Sequence, residues 1–399
     1  MTDLSALSRG SPMMARMLEL AAEMRAIRQD IHRHPELAYE EKRTASIVAA
    51  RLREWGIEVH EGIGGTGVVG LLRAGKSARA IGLRADMDAL PIREATGLAY
   101  QSVHDGLAHS CGHDGHTAML LCAARYLAET RAFDGHVRFI FQPAEEGKAG
   151  ARAMIEAGLF ERFPCAEVYA LHNWPGLPAG TIATRAGPIM AAADRVEITV
   201  RARGGHAAQP HLSADAILCA AQIVTAANTL VARCIDPNAT AVLSLTRIQG
   251  GTSHNVMPSE VSITGTVRTF EAAVQDRIEE ALRELVEGTA KAAGCTATLE
   301  YSRYYPATVN DAQCAQHALD AGAALMGEST RLAAPAFTSE DFAFMLNAVP
   351  GAYVWLGQAS TGRPAALHTP GYDFNDDVLP VGAGLLATLA ERRCAAGAA

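Results

Sequence analysis

Apolar residues recur at helical spacing through Met14, Met17, Leu18, Ala21, Met24, Ile27 and Ile31, which predicts an opening helix over residues 13–33. The run His32-Arg33-His34-Pro35 stops it, because Pro35 disfavours helical backbone at His34. His32 and His34 are read as a loop at a helix end, since a metal-ligand set fills up without them. A second amphipathic helix is expected over 40–55, closed by Gly56. Short apolar strands follow at 57–60, 67–72 and 80–84. Gly64-Gly65-Thr66-Gly67 is glycine-rich, but no helix follows it, so it is not a phosphate-cradling loop. The run Ala118 to Ala124 reads as a buried helix with Asp114 at its N-cap. Further strands are expected over 136–142 and 167–171.

Near Gly187 the rhythm changes. The order becomes strand 195–203, helix 213–234, strand 240–250, strand 261–270, helix 272–293 and strand 296–304. This β-α-β-β-α-β series is the split pattern of a ferredoxin-like module. Its flanks rejoin the first domain, so it reads as an insertion. After Asp311 come a helix, a strand over 352–357 and a closing helix over 379–393. The fold class is therefore α/β: a central sheet flanked by helices, plus an inserted ferredoxin-like α+β domain. There is no internal repeat, and the only biased segment is the Ala-rich tail.

Composition changes this picture little. Of 399 residues, 49% are hydrophobic and 20% charged, which suits a globular protein of two or more domains. A net charge of −8 argues against a nucleic-acid or anionic-membrane surface. The eight cysteines are scattered without a C-x-x-C pair, which suits reduced thiols in the cytoplasm. Residues 1–12 lack the apolar core of a signal peptide. No apolar run is expected to reach the length of a membrane span.

Candidate chemistry gathers at predicted strand ends. Cys111-Gly112-His113-Asp114-Gly115-His116 puts a thiol and an imidazole at C-x-H spacing, and both are good ligands for zinc-like ions. The strand before Ala85-Asp86-Met87-Asp88 ends in two acids, an active-site edge in open α/β sheets. Asp86 and Asp88 are open to three readings: ligands, partners of a histidine, or turn residues. Glu145-Glu146 follows the next strand, and adjacent side chains there point different ways, so one can bind metal while the other faces the reaction space. A third strand ends on His172, and His368 stands near the C-terminus. Cys111, His113, Glu146, His172 and His368 are five ligand types, one more than a tetrahedral zinc needs. The surplus points to two metals sharing a ligand, an arrangement used for hydrolysis.

At this point the sequence resembles the aminoacylase, carboxypeptidase G and hippurate hydrolase family of dinuclear metallo-amidohydrolases. The nearest branch holds hippurate hydrolases, N-acyl-amino-acid amidohydrolases and indole-acetyl-amino-acid hydrolases. The matching runs include His32-Arg33-His34-Pro35-Glu36-Leu37, Arg84-Ala85-Asp86-Met87-Asp88, Cys111 to His116, Pro143-Ala144-Glu145-Glu146-Gly147, Leu171-His172-Asn173, Gly204-Gly205-His206, Asn255-Val256-Met257-Pro258, Gly265-Thr266-Val267-Arg268, Ser339-Glu340-Asp341-Phe342 and Leu367-His368-Thr369-Pro370. They span nearly the whole chain in the family's order.

The resemblance implies a metallopeptidase-type catalytic domain with a mixed sheet, split over 1–187 and 306–399, and an inserted lid and dimerisation domain over 188–305. It implies that Cys111, His113, Glu146, His172 and His368 bind two divalent ions (zinc, manganese, cobalt or nickel). Glu145 is then the general base, and Asp86 orients a ligand from behind. Many relatives carry a metal-binding histidine where this chain has Arg84. On the lid, His206 matches a residue reaching the neighbouring subunit's site, and Asn255 and Arg268 match residues near the substrate carboxylate. The implied protein is a cytoplasmic homodimer or higher homo-oligomer that cleaves small N-acyl or N-aroyl amino acids, with no nucleic-acid or membrane partner. Three other readings remain: a peptidase or carbamoyl-amide hydrolase of the same family, a metal-binding relative without catalysis, and a structural zinc on Cys111 and His113 alone. The second predicts loss of the base or a ligand, and the third leaves Glu146, His172 and His368 unexplained.

Overall fold

The protein is described by a computed structural model over residues 11–359 and 366–395. Residues 1–10, most of the segment judged to lack a signal peptide's core, and the last four of the Ala-rich tail lie outside the described residues. The chain divides into two compact units. The first holds Met1–Ile189, Val309–Ala334 and Asp341–Ala399; the second holds Met190–Thr308 and Pro335–Glu340.

The first unit opens with the helix Pro12–Arg33. Pro12 occupies the first turn, and Ser11 caps it by accepting the Met14 N–H at 3.3 Å. The helix Lys42–Glu54 has no cap of its own. The Glu36 carboxylate, folded back from the preceding loop, takes the orphan N–H groups of Arg43 and Thr44, each at 2.8 Å. Gly64-Gly65-Thr66 is the turn of a hairpin between strands Glu58–Ile63 and Gly67–Ala74. Gly64 has φ +67, and a Cβ there would lie 2.6 Å from the Met154 backbone nitrogen, so close packing accounts for the glycine.

These strands belong to an eight-stranded mixed sheet. Its spatial order is Glu58–Ile63, Gly67–Ala74, Gly135–Gln142, Ala80–Asp86, Glu167–Pro178, Gly351–Ala359, Ile182–Thr184 and Thr330–Leu332. The central four run parallel to one another. Helices Pro12–Arg33, His113–Thr130 and Leu379–Arg393 share one hydrophobic core with strand residues such as Ile81, Leu83, Phe139 and Val354.

In the second unit the strands Ala192–Arg201, Ala241–Gly250, Glu260–Thr269 and Thr296–Tyr305 form an antiparallel sheet. Taken as first to fourth, they lie in the order 2-3-1-4. Helices Ala216–Cys234 and Ala272–Ala292 connect them, which is the ferredoxin-like arrangement. One expectation needs correction. Ala216–Cys234 is long and apolar enough to cross a membrane by length and composition. The spacing of its buried residues accounts for that run differently: Ala216, Cys219, Ala220, Ile223, Ala227 and Leu230 form one stripe packed into the unit's core.

Candidate metal centre

The parallel strands deliver their carboxyl ends to one edge of the sheet. Asp86 and Gln142 end two of them in register, with Glu145 and Glu146 just beyond, and His172 lies on the third. The backbone around these residues is unusual. Ala144 and Ala149 bracket the two glutamates in left-handed conformation at φ 55 and 54, and His368 has φ 60. Such conformations in non-glycine residues cost energy and gather at functional sites. Gly112, at φ +95, lets the loop pass: a Cβ would sit 2.4 Å from Asn173 Nδ2 and 2.5 Å from the Tyr372 hydroxyl.

Hydrogen bonds fix the histidine tautomers. His172 Nδ1–H donates to the Asn173 carbonyl at 2.7 Å, which leaves the Nε2 lone pair 3.5 Å from Cys111 Sγ. His113 Nδ1–H donates to the Asp88 carbonyl at 2.8 Å. Its buried Nε2 finds no nitrogen or oxygen hydrogen-bond partner among the described residues, and Asp86 Oδ2 is 3.8 Å away. Histidines that ligate metals are held this way, with one nitrogen tied back and the other presented. His116 is different. Its Nε2 accepts the Asn173 backbone and side-chain N–H groups at 3.0 and 2.9 Å, and its Nδ1–H donates to Asp86 at 2.6 Å. Both nitrogens are spent, so His116 buttresses the site without a lone pair to offer.

Donor atoms of Cys111, Glu146 and His368 lie within 4.8 Å of one another, as do those of His113, Glu145 and Glu146. Glu146 belongs to both groups. His368 Nε2 is 3.0 Å from Glu146 Oε1. Glu145 is buried; its N–H and that of Glu146 donate to the two Asp88 oxygens at 3.1 and 2.9 Å, and Glu145 Oε1 accepts the Asp341 N–H at 3.3 Å. Arg84, fully buried, bonds Asp86 at 2.7 Å, Gln142 at 2.8 Å and Asp341 at 3.1 Å. Burial opposes a proton on His113, but Asp86 and Cys111 outweigh it and raise its affinity for one. Burial and the neighbouring His116 push His172 down, so it is a neutral donor. A set of thiol, carboxylates and ring nitrogens that draws positive charge, buried except for half-buried Glu146 and exposed His368, fits divalent ions.

Of the three readings open for Asp88, the structure shows the partner of a histidine, His113, while Asn173 carries no assignment from sequence. Asp86 orients His116; the bonds that orient His113 come from Asp88. Two readings are corrected. His32 lies inside the opening helix, which runs through Arg33, and is fully buried. Asp114 is not an N-cap: the helix starts at His113 behind Gly112, and the Asp114 carboxylate bonds His32 at 2.8 Å and Arg28 at 3.2 Å. His32 also meets Glu94 at 3.3 Å, and Arg28 meets Asp373 and Asp376 at 3.0 and 2.7 Å. Burial opposes the imidazolium, yet Asp114 and Glu94 push the His32 pKa up to about 9. A raised folded-state pKa gives stability that is complete below the ordinary value of about 6.5 and is lost as pH climbs through about 9. The unfolding midpoint of the wild type should therefore fall across that window, and His32→Gln should flatten the fall. Equal slopes in both proteins would contradict the charge on His32.

His206, Asn255 and Arg268 lie in the second unit. His206 is exposed, on a two-residue strand paired with Val256–Met257, and its Nδ1 accepts the Ala208 N–H at 3.1 Å, leaving Nε2–H as a donor. His206 and Asn255 line one cavity of about 680 Å³. Arg268 lines a separate one of about 420 Å³ with Asp194, Arg247 and Tyr304. It donates to the Thr266 hydroxyl and to the Val267 carbonyl at 3.0 Å.

Such donors gathered at the carboxyl edge of an α/β sheet define a candidate divalent-metal centre. The sequence profile of peptidase family M20/M25/M40 matches residues 82–392. Hippurate hydrolase of Campylobacter jejuni is 39% identical over 376 residues, covering 94% of this chain and 97% of that protein. N-acetylcysteine deacetylase of Bacillus subtilis is 39% identical over 366 residues, covering 91% and 95%. A solved dinuclear metal-binding M20 peptidase from Bacillus subtilis matches with a TM-score of 0.84 at 36% identity, covering 94% of this chain and 99% of that one. The chain belongs to peptidase family M20/M25/M40 and is a metal-dependent amidohydrolase.

Proposed function

We propose that this protein cleaves the amide bond of N-acyl or N-aroyl amino acids to a carboxylic acid and a free amino acid, as a cytoplasmic homodimer carrying two divalent ions per subunit. The observation that carries the reading is the pair of overlapping donor groups sharing Glu146, one with Cys111 and His368 and the other with His113 and the buried Glu145. The hippurate hydrolase and N-acetylcysteine deacetylase relatives support the substrate class. Eight unpaired cysteines suit a reducing compartment.

In this reading Cys111, His113, Glu146, His172 and His368 hold the ions, whether zinc, manganese, cobalt or nickel. When bound, such ions acidify water and polarise an amide carbonyl. Glu145 takes a proton from the attacking water, holds it, and passes it to the leaving amine nitrogen. His206 of a neighbouring subunit donates from Nε2 to the oxyanion, which stabilises charge as it develops. Arg268, with Asn255 on the same unit, engages the substrate carboxylate, for which a guanidinium is a matched fork. His206 and Asn255 line one cavity and Arg268 a separate one, which suits a lid serving two active sites, with Asn255 meeting the carboxylate from the subunit that supplies His206. The dimer reading is further supported by the outer face of the Ala216–Cys234 helix, with Ile217 and Leu218 exposed, and by Ile248 on the sheet-edge strand Ala241–Gly250.

Cys111→Ser should weaken binding of at least one ion, because a poorly ionised hydroxyl replaces a thiolate. Metal content after mild chelation measures this, and unchanged content with unchanged activity would remove Cys111 from the ligand set. The function itself is tested by screening the metal-reconstituted protein against N-acyl amino acids, dipeptides and carbamoyl amides. Preferred turnover of dipeptides or carbamoyl amides would replace the proposal with one of its family alternatives.

A further inference from the structure

The acyl group is left open above, and the sheet face that carries His172 narrows it. Side chains two apart on a strand share a face, so Trp174 lies on the face of His172. On the neighbouring parallel strand Trp355 is in register with His172 and shares that face too. The two indoles stack at 3.9 Å between centroids with planes 11° apart. Trp355 is the inner member, 4% exposed, and its buried Nε1 has no hydrogen-bond partner among the described residues. Stacking and packing, not a polar anchor, hold it. Trp174 is the outer member and only half-buried. Tyr353 flanks His172 with its ring centroid 6.2 Å away. An aromatic shelf thus begins one strand pleat, about 6.5 Å, beyond a proposed metal ligand. An aryl ring extends about 4 Å beyond its carbonyl carbon, and van der Waals contact adds about 3.5 Å, so the ring of an acyl group held at the metals spans a gap of that size.

We propose that the outer face of Trp174, backed by Trp355, forms a wall of the acyl pocket and selects amides of aromatic acids over acetyl amides. The inference rests on the amidohydrolase reading for its chemistry. Its geometry needs only an acid bound at the metals: a benzoyl ring covers the indole face, whereas an acetyl group leaves it wet. Such a contact combines apolar burial with an offset aromatic stack.

The test measures binding of benzoate and of acetate to the metal-loaded protein by calorimetry, in wild type, Trp174→Leu and Trp174→Phe. Both acids offer the same carboxylate and differ in the ring. The wild type should bind benzoate at least about tenfold more tightly than acetate. Trp174→Leu should shrink the preference to within about threefold, and Trp174→Phe, which restores a ring, should keep most of it. Equal binding of the two acids by wild type, or a preference untouched in Trp174→Leu, would overturn the proposal. Hydrolysis of N-benzoylglycine and N-acetylglycine is followed alongside. Loss of the ring preference together with a matching fall in kcat/KM for the benzoyl substrate alone supports the wall. A wild type that shows the preference yet hydrolyses neither substrate would contradict the amidohydrolase function and leave the aromatic wall standing.

Discussion

Glu145→Gln is expected to leave metal content unchanged and to lower turnover by about 10²–10⁴-fold or more, the loss that follows removal of a general base. The substitution is nearly isosteric. Glu145 donates its backbone N–H to Asp88 and accepts the Asp341 N–H at Oε1, and a glutamine oxygen can still accept there. What the amide cannot do is take a proton from water and return it to an amine. Metal analysis and steady-state rates on the same preparation decide the matter. Near-wild-type activity at unchanged metal content would show that Glu145 is not the base.

The second large effect crosses the proposed dimer. His206→Ala should lower kcat by about 10²–10³-fold with a smaller change in KM, as for a lost oxyanion donor. A loop histidine of this exposure is commonly just solvated, so the rate loss alone does not place it in a neighbour's site. Mixing Glu145→Gln subunits with His206→Ala subunits does. In the heterodimer one active site carries both lesions and the other carries neither, so activity should return. Heterodimers that form and stay inactive would sink the in-trans role.

The ferredoxin-like order was legible from alternation and helix length alone, because each of its six elements carries its own apolar period. The donor residues were legible because thiol, imidazole and carboxylate side chains stand in short motifs at strand ends. What aims them was not. His113 and His172 are held by the carbonyls of Asp88 and Asn173, and a backbone acceptor leaves no mark in sequence. His116 stood in view beside His113, but only its Asp86 and Asn173 bonds show that both nitrogens are spent. The end of the opening helix agrees with its apolar spacing; reading His32 as loop sets it outside a helix that contains it, because its burial comes from partners far along the chain, Asp114 and Glu94. Asp114, a good capping residue by type, answers instead to Arg28, 86 positions earlier in the chain. Long-range ion networks of this kind are invisible to local patterns. The Ala216–Cys234 helix is apolar enough to reach membrane length, a property the sequence reading does not credit to it, and its buried stripe is set by a sheet the local sequence does not contain.

The most direct test strips the protein with a chelator, then titrates it with zinc, manganese, cobalt or nickel while following glycine release from N-benzoylglycine and bound metal together. The stripped protein should release no glycine, and activity should saturate at two bound ions per subunit. Release that survives stripping, or none from any N-acyl amino acid at full metal loading, would contradict it.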